Sequence, residues 1–151
     1  MNAGVKRRGE QPQAAERHDR ELRVNVVFTD LAETLLALRA AARLAADLRA
    51  HIVVVVPQVV PYPAPIEAPP ISTAFLVHRF RTVADDMAID LHVRVYICRD
   101  RRTVLAVALG PQSLVVIAGR RSWWPTREQR LAAELAHLGH DVVFCTHEWG
   151  S

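Results

Sequence analysis

No apolar run in this sequence approaches the ~18 residues that a membrane-crossing helix needs. The amino-terminal MNAGVKRRGEQPQ has no apolar centre of the signal-peptide kind. Both absences lead us to expect a cytoplasmic protein with no membrane partner. Cysteine is scarce: Cys98 and Cys145 are the only two, too few for a secreted disulfide framework. Charge of one sign is scarce where it would matter. The sequence pI is about 9.4, yet residues 1–23 hold six Lys/Arg against four acids, and the remainder has thirteen Arg against twelve acids. A near-neutral body has no general attraction for phosphate backbones, which argues against nucleic acid as a partner. No internal repeat and no interdomain linker is visible.

What the sequence does have is a series of short apolar runs separated by helical patterns. Ser113–Arg121, SLVVIAGRR, is the stretch around which the rest is arranged. Its run Leu114–Ala118 is too short for an ordinary helix and reads as a strand buried on both faces, as a parallel sheet requires. Carboxyl ends of such strands meet helix N-termini, where free N–H groups and the helix dipole favour anions.

Taken in order, residues 1–20 are polar, basic and aperiodic, and are expected to be a disordered leader. Residues 21–147 form the expected domain and 148–151 a tail. LRVNVVF at 22–28 reads as a strand ending at Thr29-Asp30. Asp30 and Glu33 have the spacing of a helix cap, opening a helix with Leu31, Leu35, Leu38, Ala42 and Ala45 as its stripe. HIVVVV at 51–56 is a second buried strand. Residues 57–70 hold six of the nine prolines, which predicts an extended loop from Pro57 onward; it is either a functional loop or a surface insertion. A helix follows from Ser72, with Leu76, Phe80, Val83 and Met87 as its stripe. LHVRVYIC at 91–98 alternates, with His92, Arg94 and Tyr96 on a partly wet face. Asp100 is placed to cap a helix over 101–109, stopped by Gly110. Thr126 and Gln129 have capping-box spacing before a helix with Leu131, Leu135 and Leu138 inside, stopped by Gly139. DVVFCT at 141–146 is the last strand. The alternation β-α-β-α-β-α-β-α-β implies a three-layer α/β/α sandwich on a parallel sheet of five strands, Rossmann-like in kind.

This order of elements resembles the universal stress protein family. The features that carry the resemblance are Asp30 after the first strand, HIVVVV followed by a long irregular loop, and LVVIAGRR followed by a helix and DVVFCT. The resemblance implies an adenine-nucleotide-hydrolase-like fold with strand order 3-2-1-4-5 and a homodimer formed through the last strand (Val142, Val143, Phe144). It also implies, in one branch of the family, ATP at the carboxyl ends of strands 1 and 4. That order puts Cys98 and Cys145 on opposite sheet edges, about 20 Å apart and beyond disulfide reach.

ATP-binding members carry Gly-x-x-Gly after the fourth strand and a Gly-Ser or Gly-Thr further on. Here Gly119 matches the first glycine, Ser122 stands at the second, and Ala132-Ala133 falls at the later pair. Asp30 matches the residue facing adenine and ribose, and Val54 or Val55 the backbone position beside adenine. Arg120 and Arg121 are the side chains that could hold phosphate in place of the lost glycines. The expectation is a regulatory or interaction module with an eroded nucleotide site and no turnover, with recruitment of a protein partner as a further use. A functional binder of ATP or AMP with magnesium is the alternative.

Trp123 and Trp124 precede Pro125 at this mouth. One is expected to pack beneath the following helix and the other to line a dimer contact; stacking on a base or anchoring a partner is the other use of such a pair. His137, His140 and Asp141 are not read as a metal site, because Gly139 ends the helix between the histidines. Ser113, Ser122 and Cys98 lack the neighbouring His and acid of an activated nucleophile.

Overall fold

The computed structural model describes residues 6–8, 22–60, 62–63 and 72–146. Strands are β1 (Lys6–Arg8), β2 (Arg23–Val27), β3 (His51–Val59), β4 (Leu91–Cys98), β5 (Leu114–Gly119) and β6 (Asp141–Thr146). Helices are α1 (Leu31–Leu48), α2 (Thr73–Met87), α3 (Arg101–Ala108) and α4 (Arg127–His137). They form a six-stranded sheet in the order β1-β4-β3-β2-β5-β6. The five strands from β2 to β6 are mutually parallel and, counted among themselves, lie in the expected order 3-2-1-4-5.

Two apolar cores flank this sheet. Val24, Val26, Ile52, Val54, Val56 and Val116 face α1 and α2 on one side. Val53, Val55, Val115 and Ile117 face α3 and α4 on the other. Successive residues of a strand point to opposite faces, so a central strand covered on both sides must be apolar throughout. The valine runs of β3 and β5 follow from this. In α1 the buried line is Ala37, Leu38, Ala41 and Ala45, rotated from the leucine stripe read from spacing, and Leu31, Leu35 and Ala42 flank it, half-buried. Alanine at the contact brings the helix backbone close to the sheet.

Four readings are corrected by the structure. First, the sequence analysis gave no strand to the leader, but Lys6–Arg8 pairs antiparallel with β4. The rest of the leader, residues 61 and 64–70 of the Pro-rich loop, and the tail lie outside the described residues. Second, β3 runs through Pro57 to Val59. In β3, His51 donates to Leu22 on the β2 side, while Ile52 and Val60 donate to Asp90 and Cys98 on the β4 side. Pro57 therefore turns its missing N–H toward the β2 side, where the last ladder bond is the Phe28 N–H to the Val55 carbonyl, and β3 continues to Val59 through its pairing with β4. Third, Arg94 and Tyr96 are buried, so β4 has no wet face at their level. Fourth, Leu138 is the C-cap of α4 rather than part of its inner face; it is 64% exposed, and Leu131, Ala132 and Leu135 carry the contact.

Candidate functional site

Because β2 to β6 are parallel, every helix starts at the carboxyl end of the sheet, and four helix N-termini share one rim. Each is closed by its own side chain. Asp30 accepts from the Glu33 N–H at 2.9 Å, Ser72 from Phe75 at 3.4 Å, and Asp100 from Arg102 at 3.2 Å. Thr126 accepts from Gln129 at 3.2 Å while Gln129 Oε1 accepts from the Thr126 N–H at 2.9 Å, a complete capping box. These are the donors that would otherwise attract an anion. Two of the caps are carboxylates and Glu128 lies in the first turn of α4, so the rim opposes a phosphate at these positions electrostatically. The Asp100 carboxyl is held below the ordinary carboxylate range, chiefly by the Thr103 hydroxyl, with the Arg102 N–H adding to it.

The sheet changes winding direction between β2 and β5, and Asp30 and Gly119 follow these neighbouring strands at the same rim. Arg120, Arg121 and Ser122 continue from Gly119 and are exposed. Val54 and Val55 lie below the rim inside the sheet, facing opposite cores. The Val55 carbonyl accepts from the Phe28 N–H at 2.9 Å and is used by the fold.

Gly119 has a packing reason to be glycine. A Cβ there would stand 2.7 Å from Glu128 Cβ and 2.9 Å from Phe144 Cζ, well inside contact distance. Its backbone is not in the left-handed region. The absent side chain lets α4 and β6 close over β5, and this accounts for the glycine without any phosphate. Each cap takes up one first-turn N–H of its helix, and packing of α4 and β6 accounts for the glycine.

The tryptophans are not packed. Trp123 is 101% exposed and Trp124 80%, so neither lies beneath α4. The turn that carries them is held by Ser122 Oγ, which accepts from the Trp124 N–H at 3.3 Å, and by the capping box that follows. Elsewhere on the rim Arg99 donates to the Val60 carbonyl at 2.9 Å, and its guanidinium lies 4.1 Å from the Tyr62 ring centroid. Nothing in the sequence spacing signals that pair, since the residues come from different loops.

The other residues weighed in the sequence are structural. His140 Nδ1 accepts from the Ser113 N–H at 3.0 Å, tying the start of β6 to that of β5. Cys98 and Cys145 are free thiols, and burial raises both above the usual thiol range, Asp100 adding to the effect at Cys98. Such thiols are poor nucleophiles. Among the described residues, no group of three or more His, Cys, Asp or Glu could hold a metal ion, and no helix is long and apolar enough to cross a membrane. Two clefts lie away from the rim. One of about 280 Å³ lies between the carboxyl ends of α1 and α2 and is lined mainly by alanines. A smaller one between α3 and α4 is bounded by Leu131, Leu135 and Leu138.

No protein-family model matches this sequence, and no curated protein matches it.

Proposed function

We propose that this chain is a regulatory or interaction module of universal-stress type, acting as a homodimer through β6, with a degenerate nucleotide site and no turnover of its own. The observation that carries this reading is the state of the carboxyl rim. A nucleotide site on such a sheet works by leaving helix N-termini and backbone N–H groups open to phosphate. Here each N-terminus is capped from within, two of them by carboxylates, and Gly119 is filled by α4 and β6. What remains on the rim is exposed arginine and aromatic surface, which suits recognition better than chemistry. β6 lies at the end of the sheet order, so its outer edge is where a second copy would pair.

The test is thermal melting of the full chain with and without millimolar ATP, ADP or AMP plus magnesium, with light scattering on the same samples for the dimer. A ligand at about 100 times its Kd adds about 2.7 kcal/mol, a rise of roughly 5–10 °C for a domain of this size. The expected result is no rise and a dimer mass. A rise that Asp30→Ala removes would instead establish the nucleotide binder, and a monomer mass would remove the dimer.

A further inference from the structure

We infer that the Arg120–Arg127 turn, on the part of the carboxyl rim away from the Asp30 and Asp100 caps, is a docking surface for an anionic phospholipid bilayer, with Trp123 and Trp124 entering the interfacial layer and the neighbouring arginines meeting the headgroups. Two indoles exposed at 101% and 80% are an unusual cost for a surface turn. Indole combines a large apolar ring with an N–H, a combination suited to the boundary between headgroups and acyl chains. The turn is not a loose tail: Ser122 Oγ and the Thr126–Gln129 capping box fix both of its ends.

The charge around the turn is complementary to an anionic surface. Arg120, Arg121 and Arg127 flank the indoles and are exposed. Residues 120–127 carry three arginines and no acid; the exposed Asp30 and Asp100 belong to other loops, where they cap α1 and α3. Two further aromatics share the rim, Tyr62 just beyond β3 at 81% exposure and Phe75 in the first turn of α2 at 54%. At about 4.8 Å per strand, β3 lies roughly 10 Å from β5, so aromatic side chains rise from separate points of one end of the molecule, as a planar target requires.

Shape favours a bilayer over a nucleic-acid strand. Binding to single strands uses aromatic platforms within a groove that follows the phosphates. Trp123 is fully exposed in the turn between β5 and α4. No spanning helix is needed, because interfacial binding draws on buried aromatic area together with attraction of basic residues to anionic lipid. This inference rests on the reading of the chain as a binding module, and it fails separately from it: a nucleotide-induced melting shift would remove that reading while vesicle binding stayed measurable.

The experiment is sedimentation of the full chain with vesicles of phosphatidylcholine alone or with about a third phosphatidylserine, at about 0.1 M salt. Tryptophan emission is recorded in parallel. Sedimentation with the anionic vesicles only, with a blue shift of emission, is the expected result. The double variant Trp123→Ala/Trp124→Ala should lower partitioning by about tenfold or more and abolish the shift, leaving the signal of Trp149. Arg120→Gln/Arg121→Gln should lower it by about fivefold per charge. All four positions are exposed, so the melting temperatures should stay unchanged and serve as the folding control. Absence of binding to anionic vesicles, or binding that survives the double tryptophan change, would overturn the inference. So would tighter binding to an oligothymidylate that the same variants lose, which would make the surface a strand platform.

Discussion

Substituting Gly119 by alanine separates two reasons for a glycine at the end of β5. If Gly119 served only to admit a phosphate, alanine would cost the fold nothing. It would even stabilise it by about 0.5–1 kcal/mol, since glycine in a strand loses more backbone freedom on folding than alanine does. The backbone at Gly119 is outside the left-handed region, so alanine adds no torsional strain. The geometry opposes that gain. The new Cβ would lie 2.7 Å from Glu128 Cβ, an atom fixed to the helix backbone, and 2.9 Å from Phe144 Cζ. The Phe144 ring can yield, but the Glu128 Cβ moves only if α4 moves. Overpacking of this kind costs about 1–3 kcal/mol, so the net loss is on the order of 1–2 kcal/mol, or roughly 2–8 °C in melting temperature. Urea unfolding of Gly119→Ala, Glu128→Gly and the double variant measures it. Glu128→Gly alone should cost up to about 1 kcal/mol of helix propensity. In the Gly119→Ala background it should cost less than that or stabilise, because it removes the Cβ in conflict. A single variant as stable as the parent, or strict additivity in the double, would refute the packing account and return Gly119 to the ligand.

Two further outcomes follow from the described contacts. Leu135→Ala should cost about 2–4 kcal/mol, because Leu135 is buried between α4 and the sheet, whereas Leu138→Ala should stay within about 0.5 kcal/mol; comparable losses in denaturant unfolding would put the inner face of α4 back where spacing placed it. The Asp100 carboxyl titrates below its unfolded value, so its contribution to α3 is present above the unfolded pKa of about 3.9 and disappears as pH falls through the lower folded value. The stability deficit of Asp100→Ala at neutral pH should accordingly shrink toward zero in acid, and a deficit independent of pH would show that the carboxylate charge is not what holds the cap.

The regular elements were legible because two periodicities and four caps agree. Continuous valine runs mark strands covered on both faces, and Asp30, Ser72, Asp100 and Thr126 each stand one residue before an observed helix. Departures occur where a neighbour decides. Lys6–Arg8 has no strand pattern of its own, and its pairing comes from the free edge of β4. Pro57 reads as a strand breaker, yet β3 runs past it because its pairing with β4 continues to Val59. Arg94 looks like the polar half of an edge strand, yet it is buried with Tyr96. Leu138 continues the leucine spacing one step past His137, where α4 has ended.

The candidate site was harder to read than the fold because residue type at a motif position does not carry its reason. Gly119 satisfies a phosphate-binding pattern and a helix-packing demand equally well in one dimension, and only the 2.7 Å approach of Glu128 distinguishes them. The tryptophans present the converse problem. Hydrophobic side chains beside a helix start are ordinarily drawn beneath it, and burying one here would have filled the mouth of the site. The capping box closes the start of α4 with Thr126 and Gln129 alone, and Leu131, Ala132 and Leu135 complete its contact with the sheet. Both indoles stay outside. The turn before α4 therefore carries exposed indoles and arginines beside a helix start that is capped from within.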